Sequence, residues 1–157
     1  MLNLLIEIEK AYHANAWHGN NALQVITAVK PENAFHYFIP NAHSIAELTL
    51  HLTSWTEEVT ARLLGKTASE PAKGDWPIPD DLTVSSWEKI IFDFKIANDE
   101  LIRICNSLSE EDWATPAKDE RDEIQREHIT FSQLVNGFIQ HHAYHAGQIA
   151  LLSKFNP

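Results

Sequence analysis

Apolar residues in this chain recur every three or four positions through several long stretches and nowhere alternate for long enough to make a strand, which confines the fold to packed helices. The first stretch runs through Leu2, Leu5, Ile8 and Tyr12, then Leu23, Ile26 and Val29, interrupted by Trp17-His18-Gly19-Asn20-Asn21. It predicts a helix broken near Gly19 and recapped by Asn20 or Asn21. After a connector from Pro31 to Pro40, with room for one short turn, Ser44 stands three residues before Glu47. That spacing lets hydroxyl and carboxylate each satisfy a free backbone N–H, and it opens a helix from about 44 to 64 that ends at Gly65. Residues 66–81 hold Pro71, Gly74, Pro77 and Pro79 without periodicity, which predicts a long loop that crosses a bundle end or shapes a site. Thr83 opens the next helix, with Trp87, Ile90, Ile91, Phe94, Ile96, Leu101 and Ile104 on its stripe, closing near Ser107. A capped turn at 107–113 and a polar stretch at 114–126 follow. The last helix runs from about Thr130 to Lys154, with Phe131, Leu134, Val135, Phe138, His145, Ile149 and Leu152 on one face. Together these predict an all-α four-helix bundle in which the long middle connection allows two consecutive helices to run parallel.

The length of 157 residues suits one domain spanning 1–157, because two separate cores would each be too small to fold comfortably. Apolar residues make up 44% of the chain, enough for a buried core. A formal charge of −10, with no cluster of Lys or Arg to offset it, disfavours nucleic acid and anionic lipid as partners and leaves a small-molecule substrate as the expectation. The single cysteine, Cys105, cannot pair within the chain and sits in an apolar pattern as a buried thiol. The N-terminal segment has no basic region before an apolar run, and no run approaches the roughly 20 residues that span a bilayer. A cytoplasmic location is the corresponding expectation.

Nine histidines remain to be accounted for, and His is both a common neutral metal ligand and the side chain that titrates near neutrality. Within Gln140-His141-His142-Ala143-Tyr144-His145, the pair His141 and His145 is separated by roughly 40° around a helix and a single turn along it, which is the spacing of a metal clamp. His142 and His145 diverge by roughly 60° and are also able to converge. Phase leaves the choice open, since His145 lies on the apolar stripe and the other two flank it on opposite sides. A third member, His51, lies in the apolar segment Leu48-Thr49-Leu50-His51-Leu52, where a lone imidazole needs a partner. Three neutral imidazoles leave a coordination position open, as catalytic sites do and closed structural sites do not.

The motifs His43-Ser44-Ile45-Ala46-Glu47-Leu48 with Leu50-His51-Leu52-Thr53-Ser54-Trp55, Asn15-Ala16-Trp17-His18-Gly19, and His141 with Tyr144-His145-Ala146-Gly147-Gln148-Ile149 resemble the DinB-like superfamily in order and separation over essentially the whole chain. That family contains DNA-damage-inducible-B-type proteins and members described as metal-dependent hydrolases. The resemblance implies an up-down-down-up bundle, usually a homodimer, with His51, His141 and His145 holding nickel, zinc or a related divalent ion. It also implies either transfer of a low-molecular-weight thiol or hydrolysis, with a metal-bound thiolate or hydroxide as nucleophile. A non-catalytic dimeric module responsive to metal or pH is the alternative expectation.

Around the site, Trp17 and His18 at the first helix break, Trp55, His142 and Gln148 are the candidate pocket residues. Glu47 and Glu58 are the carboxylates nearest His51 by helical arithmetic, with Glu47 already engaged in its cap. Gln148 is placed to bond a ligand or a neighbouring helix, and Gly147 to let another helix approach closely. Trp76 is expected either to anchor the long loop or to sit in a lid. His43 precedes a helix cap, and His13, His36 and His128 have no assignable role.

Overall fold

Each long helix begins where a polar side chain replaces a missing backbone partner. The computed structural model describes residues 3–119 and 129–155, and these contain helices and no strands. Leu2, the polar positions 120–126 and His128 lie outside the described residues. Helix α1 spans Leu4–Tyr12 and α2 spans Ala22–Thr27, so the first helical run ends well before Gly19. The chain between them is bound back on itself: the Ala14 carbonyl accepts from Asn21 Nδ2 at 2.9 Å, while Asn21 and Gln24 form a reciprocal cap for α2. A single turn, α3 (Pro31–Ala34), occupies the connector.

Ser44 and Glu47 cap α4 (Ile45–Leu63) reciprocally, and Thr83 caps α5 (Val84–Ser107). The chain then makes one 3-10 turn at Asp112–Ala114 and enters α6 (Phe131–Leu152), where Thr130 and Gln133 repeat the reciprocal cap. Each such cap satisfies two backbone donors that the helix geometry orphans. Most of the α5 stripe is buried, but Ile96 is 53% exposed. It stands two residues from Phe94, about 200° around the helix, and so points away from the face that Phe94 buries. No helix among the described residues is long and apolar enough to cross a membrane.

The core divides into two clusters. One gathers Tyr12, Ile26, Leu48, Trp87, Phe94 and Ile149 with their neighbours; the other gathers Ile8, Val59, Leu101, Cys105, Val135 and Phe138 with theirs. Helices α4 and α5 both begin in the first cluster and end in the second, whereas α6 begins in the second and ends in the first. Cys105 is fully buried and its thiol is pushed up to about 12 by burial, which makes it a packing residue.

Between α4 and α5, the loop 66–81 is fastened down the side of α4. Glu58, buried on α4, takes Arg62 Nε at 3.0 Å, Lys66 Nζ at 2.6 Å and the Ser69 N–H at 3.1 Å, while Arg62 also donates to the Ser69 carbonyl. One turn and more before it, Ser54 Oγ donates to the Gly74 carbonyl at 2.7 Å and Trp55 Nε1 to Asp75 Oδ1 at 2.7 Å. Gly74 has φ +85°, a conformation that a side chain would strain, and the turn it makes returns Asp75 and Trp76 to α4.

Candidate metal centre

His51 is carried by the middle of α4, and His141 and His145 by consecutive turns of α6. The packing of these two helices brings the three rings together, with centroids 5.0 Å (His51 to His141), 4.8 Å (His51 to His145) and 4.5 Å (His141 to His145) apart. One nitrogen from each ring lies within 4.8 Å of the others, the one such group of ligand-type side chains found among the described residues.

The outer nitrogens of His51 and His145 are held by the protein, which decides the tautomers of those two rings. His51 Nδ1–H donates to the Asp75 carbonyl at 2.6 Å, and His145 Nδ1–H donates to Gln148 Oε1 at 2.6 Å. Both rings therefore present a bare Nε2 to the common point. His51 Nε2 and His141 Nε2 stand 3.0 Å apart. Two ligands on one ion at 2.0–2.1 Å, with an angle between 90° and 109°, are separated by about 2.8–3.4 Å, so the spacing of this pair fits a divalent ion. Burial and the neighbouring histidines lower the His141 pKa to about 4. His51 and His145 are lowered from the ordinary value in the first place by burial, so all three are neutral and competent as ligands near pH 7.

Trp76 lies flat between two imidazoles, 3.6 Å from the His43 ring and 3.9 Å from the His51 ring, with interplanar angles of 3° and 12°. Of the two expectations for Trp76, the geometry gives the anchor. Its position next to His51, and the bond from His51 to the Asp75 backbone, were not legible in the sequence because a loop without periodicity offers no phase to read. His43 was likewise missed; its Nδ1 lies 3.8 Å from Glu47 Oε2.

The other sequence candidates are distributed unevenly. Trp55 packs 6.4 Å from His51 and 6.5 Å from His141, ring to ring, and Gln148 supports His145 as an acceptor. His142 faces away from the cluster and is fully buried between Phe94 and Phe138, its Nε2 bonded to Asn98 Oδ1 at 3.0 Å. Asn98 donates to the Phe94 carbonyl, so its Oδ1 is the acceptor and His142 Nδ1 is left bare and buried, with no hydrogen-bond partner among the described residues. Trp17 is 100% exposed and His18 is exposed, and neither lines the clefts beside the cluster. Glu58 is consumed by Arg62, Lys66 and Ser69, and Glu47 by the α4 cap and the Tyr37 hydroxyl at 2.9 Å. A Cβ added at Gly147 meets no atom within 4 Å, so no helix approaches it within the described residues, contrary to the expectation from sequence.

Two clefts reach the cluster from different sides. One of about 590 Å³ opens on His145 between Trp76, Tyr144 and Leu151; the other, about 320 Å³, opens on His141 between Trp55, Arg62 and Phe138. A neutral three-histidine group at the meeting of two clefts is an arrangement suited to a divalent ion that remains accessible to small molecules.

No curated protein matches the chain. The family model of the DinB superfamily matches residues 14–149, a span that includes all three histidines, the whole of α4, most of α6 and the loop between α4 and α5. This chain belongs to the DinB superfamily.

Proposed function

We propose that the protein is a metal-dependent enzyme acting on small molecules, with nickel or zinc held by His51, His141 and His145 and at least one coordination position left to substrate. The observation that carries this reading is the convergence of the ring nitrogens, 3.0 Å apart for His51 and His141, with the outer nitrogens of His51 and His145 already bonded elsewhere. A bound divalent ion supplies Lewis acidity, lowering the pKa of a coordinated water or thiol toward neutrality. The remaining work belongs to the chain's own residues. Asp75 and Gln148 hold the His51 and His145 imidazoles in orientation, and burial disfavours protonation of those rings. Trp55 and Trp76 screen them from water.

Hydrolysis and thiol transfer make different demands on these residues. Neither Glu47 nor Glu58 is free to act as a general base, and Asp75 Oδ1 is engaged by Trp55. A thiol, which loses its proton far more readily than water, needs such a base less, and this supports transfer over hydrolysis. The bundle is read as up-down-down-up; the opposite senses in which α4 with α5, and α6, cross the two core clusters support it.

The test is elemental analysis of protein purified without chelator, followed by assays of paired thiol and electrophile substrates. One divalent ion per chain is expected, lost in His51→Ala, with turnover that stops on chelation and returns on adding the metal. Absence of metal, or an undiminished content in His51→Ala, overturns the reading.

A further inference from the structure

The cleft on the His145 side differs in chemistry from the rest of the surface. It is contiguous with the cluster, since His145 belongs to both and Trp76 covers His51 while forming one cleft wall. Among the described residues, no Lys, Arg, Asp or Glu lines it, in a chain with 34 such residues (12 basic and 22 acidic). Its mouth is formed by apolar surface left in water: Tyr144 is 64% exposed and Leu151 61%, and both stand on one face of α6, seven residues apart. Its polar groups are largely committed inside the fold, with Gln148 Oε1 taken by His145 and the His43 ring stacked on Trp76. The smaller cleft at His141 is different in containing Arg62.

Resting on the metal reading above, we infer that the cleft formed by Trp76, Tyr144 and Leu151 is the binding site for the apolar body, aromatic or branched alkyl, of an uncharged substrate whose donor atom reaches the metal. Beyond the metal, which the donor atom occupies, an anionic body would find no lysine or arginine among the described lining residues and would enter against the field of a chain of charge −10. A strongly hydrated cationic body would lose its water without gaining a carboxylate. The volume of about 590 Å³ accommodates a small molecule of one or two rings. Trp76, whose faces are covered by His43 and His51, turns its edge to the cleft, and with the exposed Tyr144 ring it favours a planar group by edge contact on Trp76 and stacking on Tyr144.

The experiment uses the cobalt-loaded protein, whose visible d–d bands report on a ligand joining the metal. Imidazole, 4-phenylimidazole and 4-(imidazol-4-yl)benzoate offer the same metal donor with no body, an apolar body and an anionic body. Burying the phenyl ring makes 4-phenylimidazole bind about 10-fold or more tighter than imidazole, and the carboxylate cancels most of that gain. Leu151→Glu changes an exposed position outside the metal ligands; it is expected to abolish the phenyl advantage while leaving cobalt content and imidazole affinity unchanged. Equal affinities for imidazole and 4-phenylimidazole, or an advantage that survives Leu151→Glu, overturn the inference while leaving the metal reading intact. A phenyl advantage that vanishes as the protein is concentrated and dimerises assigns the cleft mouth to a second copy of the chain, and overturns it too. A chain that takes up no cobalt overturns the metal reading and this inference together.

Discussion

At the scale of single residues, the proposed metal centre depends on acceptors that fix ring orientation as much as on the rings themselves. Gln148 Oε1 receives the Nδ1–H of His145, and without it the ring is free to rotate or to change tautomer. Gln148→Leu, close in size, is expected to weaken metal affinity about 10- to 100-fold, while Gln148→Glu, which keeps the acceptor, restores most of it. Competition with a chromophoric chelator measures both. His142 supplies a different prediction. Burial, together with the charges of His141 and His145, lowers its pKa from the ordinary 6.5 to about 3. Between those values the unfolded chain binds a proton that the native chain refuses, so the native state loses stability as pH falls through this window. The lowered pKa values of His51, His141 and His145 act in the same direction in metal-free protein. Urea midpoints recorded in chelator from pH 7 down to pH 4 should fall steadily; a flat profile would contradict a buried neutral His142.

At the scale of elements, helix ends and one loop determine the site. Reciprocal caps at Asn21, Ser44 and Thr130 start α2, α4 and α6 at defined residues, and so set which residues face inward along each. The loop after α4 has no such local code. It depends on Glu58, whose carboxyl is pushed up by burial and pulled down further by Lys66, Arg62 and the Ser69 N–H, for a net shift below its ordinary value. Glu58→Gln removes the charge that Arg62 and Lys66 share and is expected to cost about 3 kcal/mol, as breaking a buried pair does, read from urea denaturation. Because the same loop delivers Asp75 to His51, metal affinity should decline in this variant although no ligand has changed.

At the scale of the molecule, the three proposed ligands come from two helices, one of them far along the chain, so the complete cluster exists only in the folded state. Metal binding is then linked to folding. Metal at 100 times its dissociation constant should add about 2.7 kcal/mol to stability. For a chain of this length that is an increase of about 5–10 °C in Tm. Calorimetry with and without metal checks this, and His51→Ala should show no comparable shift.

The helices, their caps and the helical break after α1 were legible in the sequence because each is specified by neighbours a few residues apart. The pair His141 and His145 was legible for the same reason, as one turn of one helix. What its spacing left open was whether His141 or His142 joins the pair with His51. That choice belongs to the rotation of α6 against α4 and α5, which turns His141 to His51 and His142 to Asn98. Exposure of Ile96 and Trp17, the commitment of Glu58 to the loop, and the stacking of Trp76 between His43 and His51 were also decided by packing. Local spacing determines which residues share a helix face, but only the tertiary structure decides what that face meets, because contacts between distant segments are settled when several helices bury their apolar stripes together.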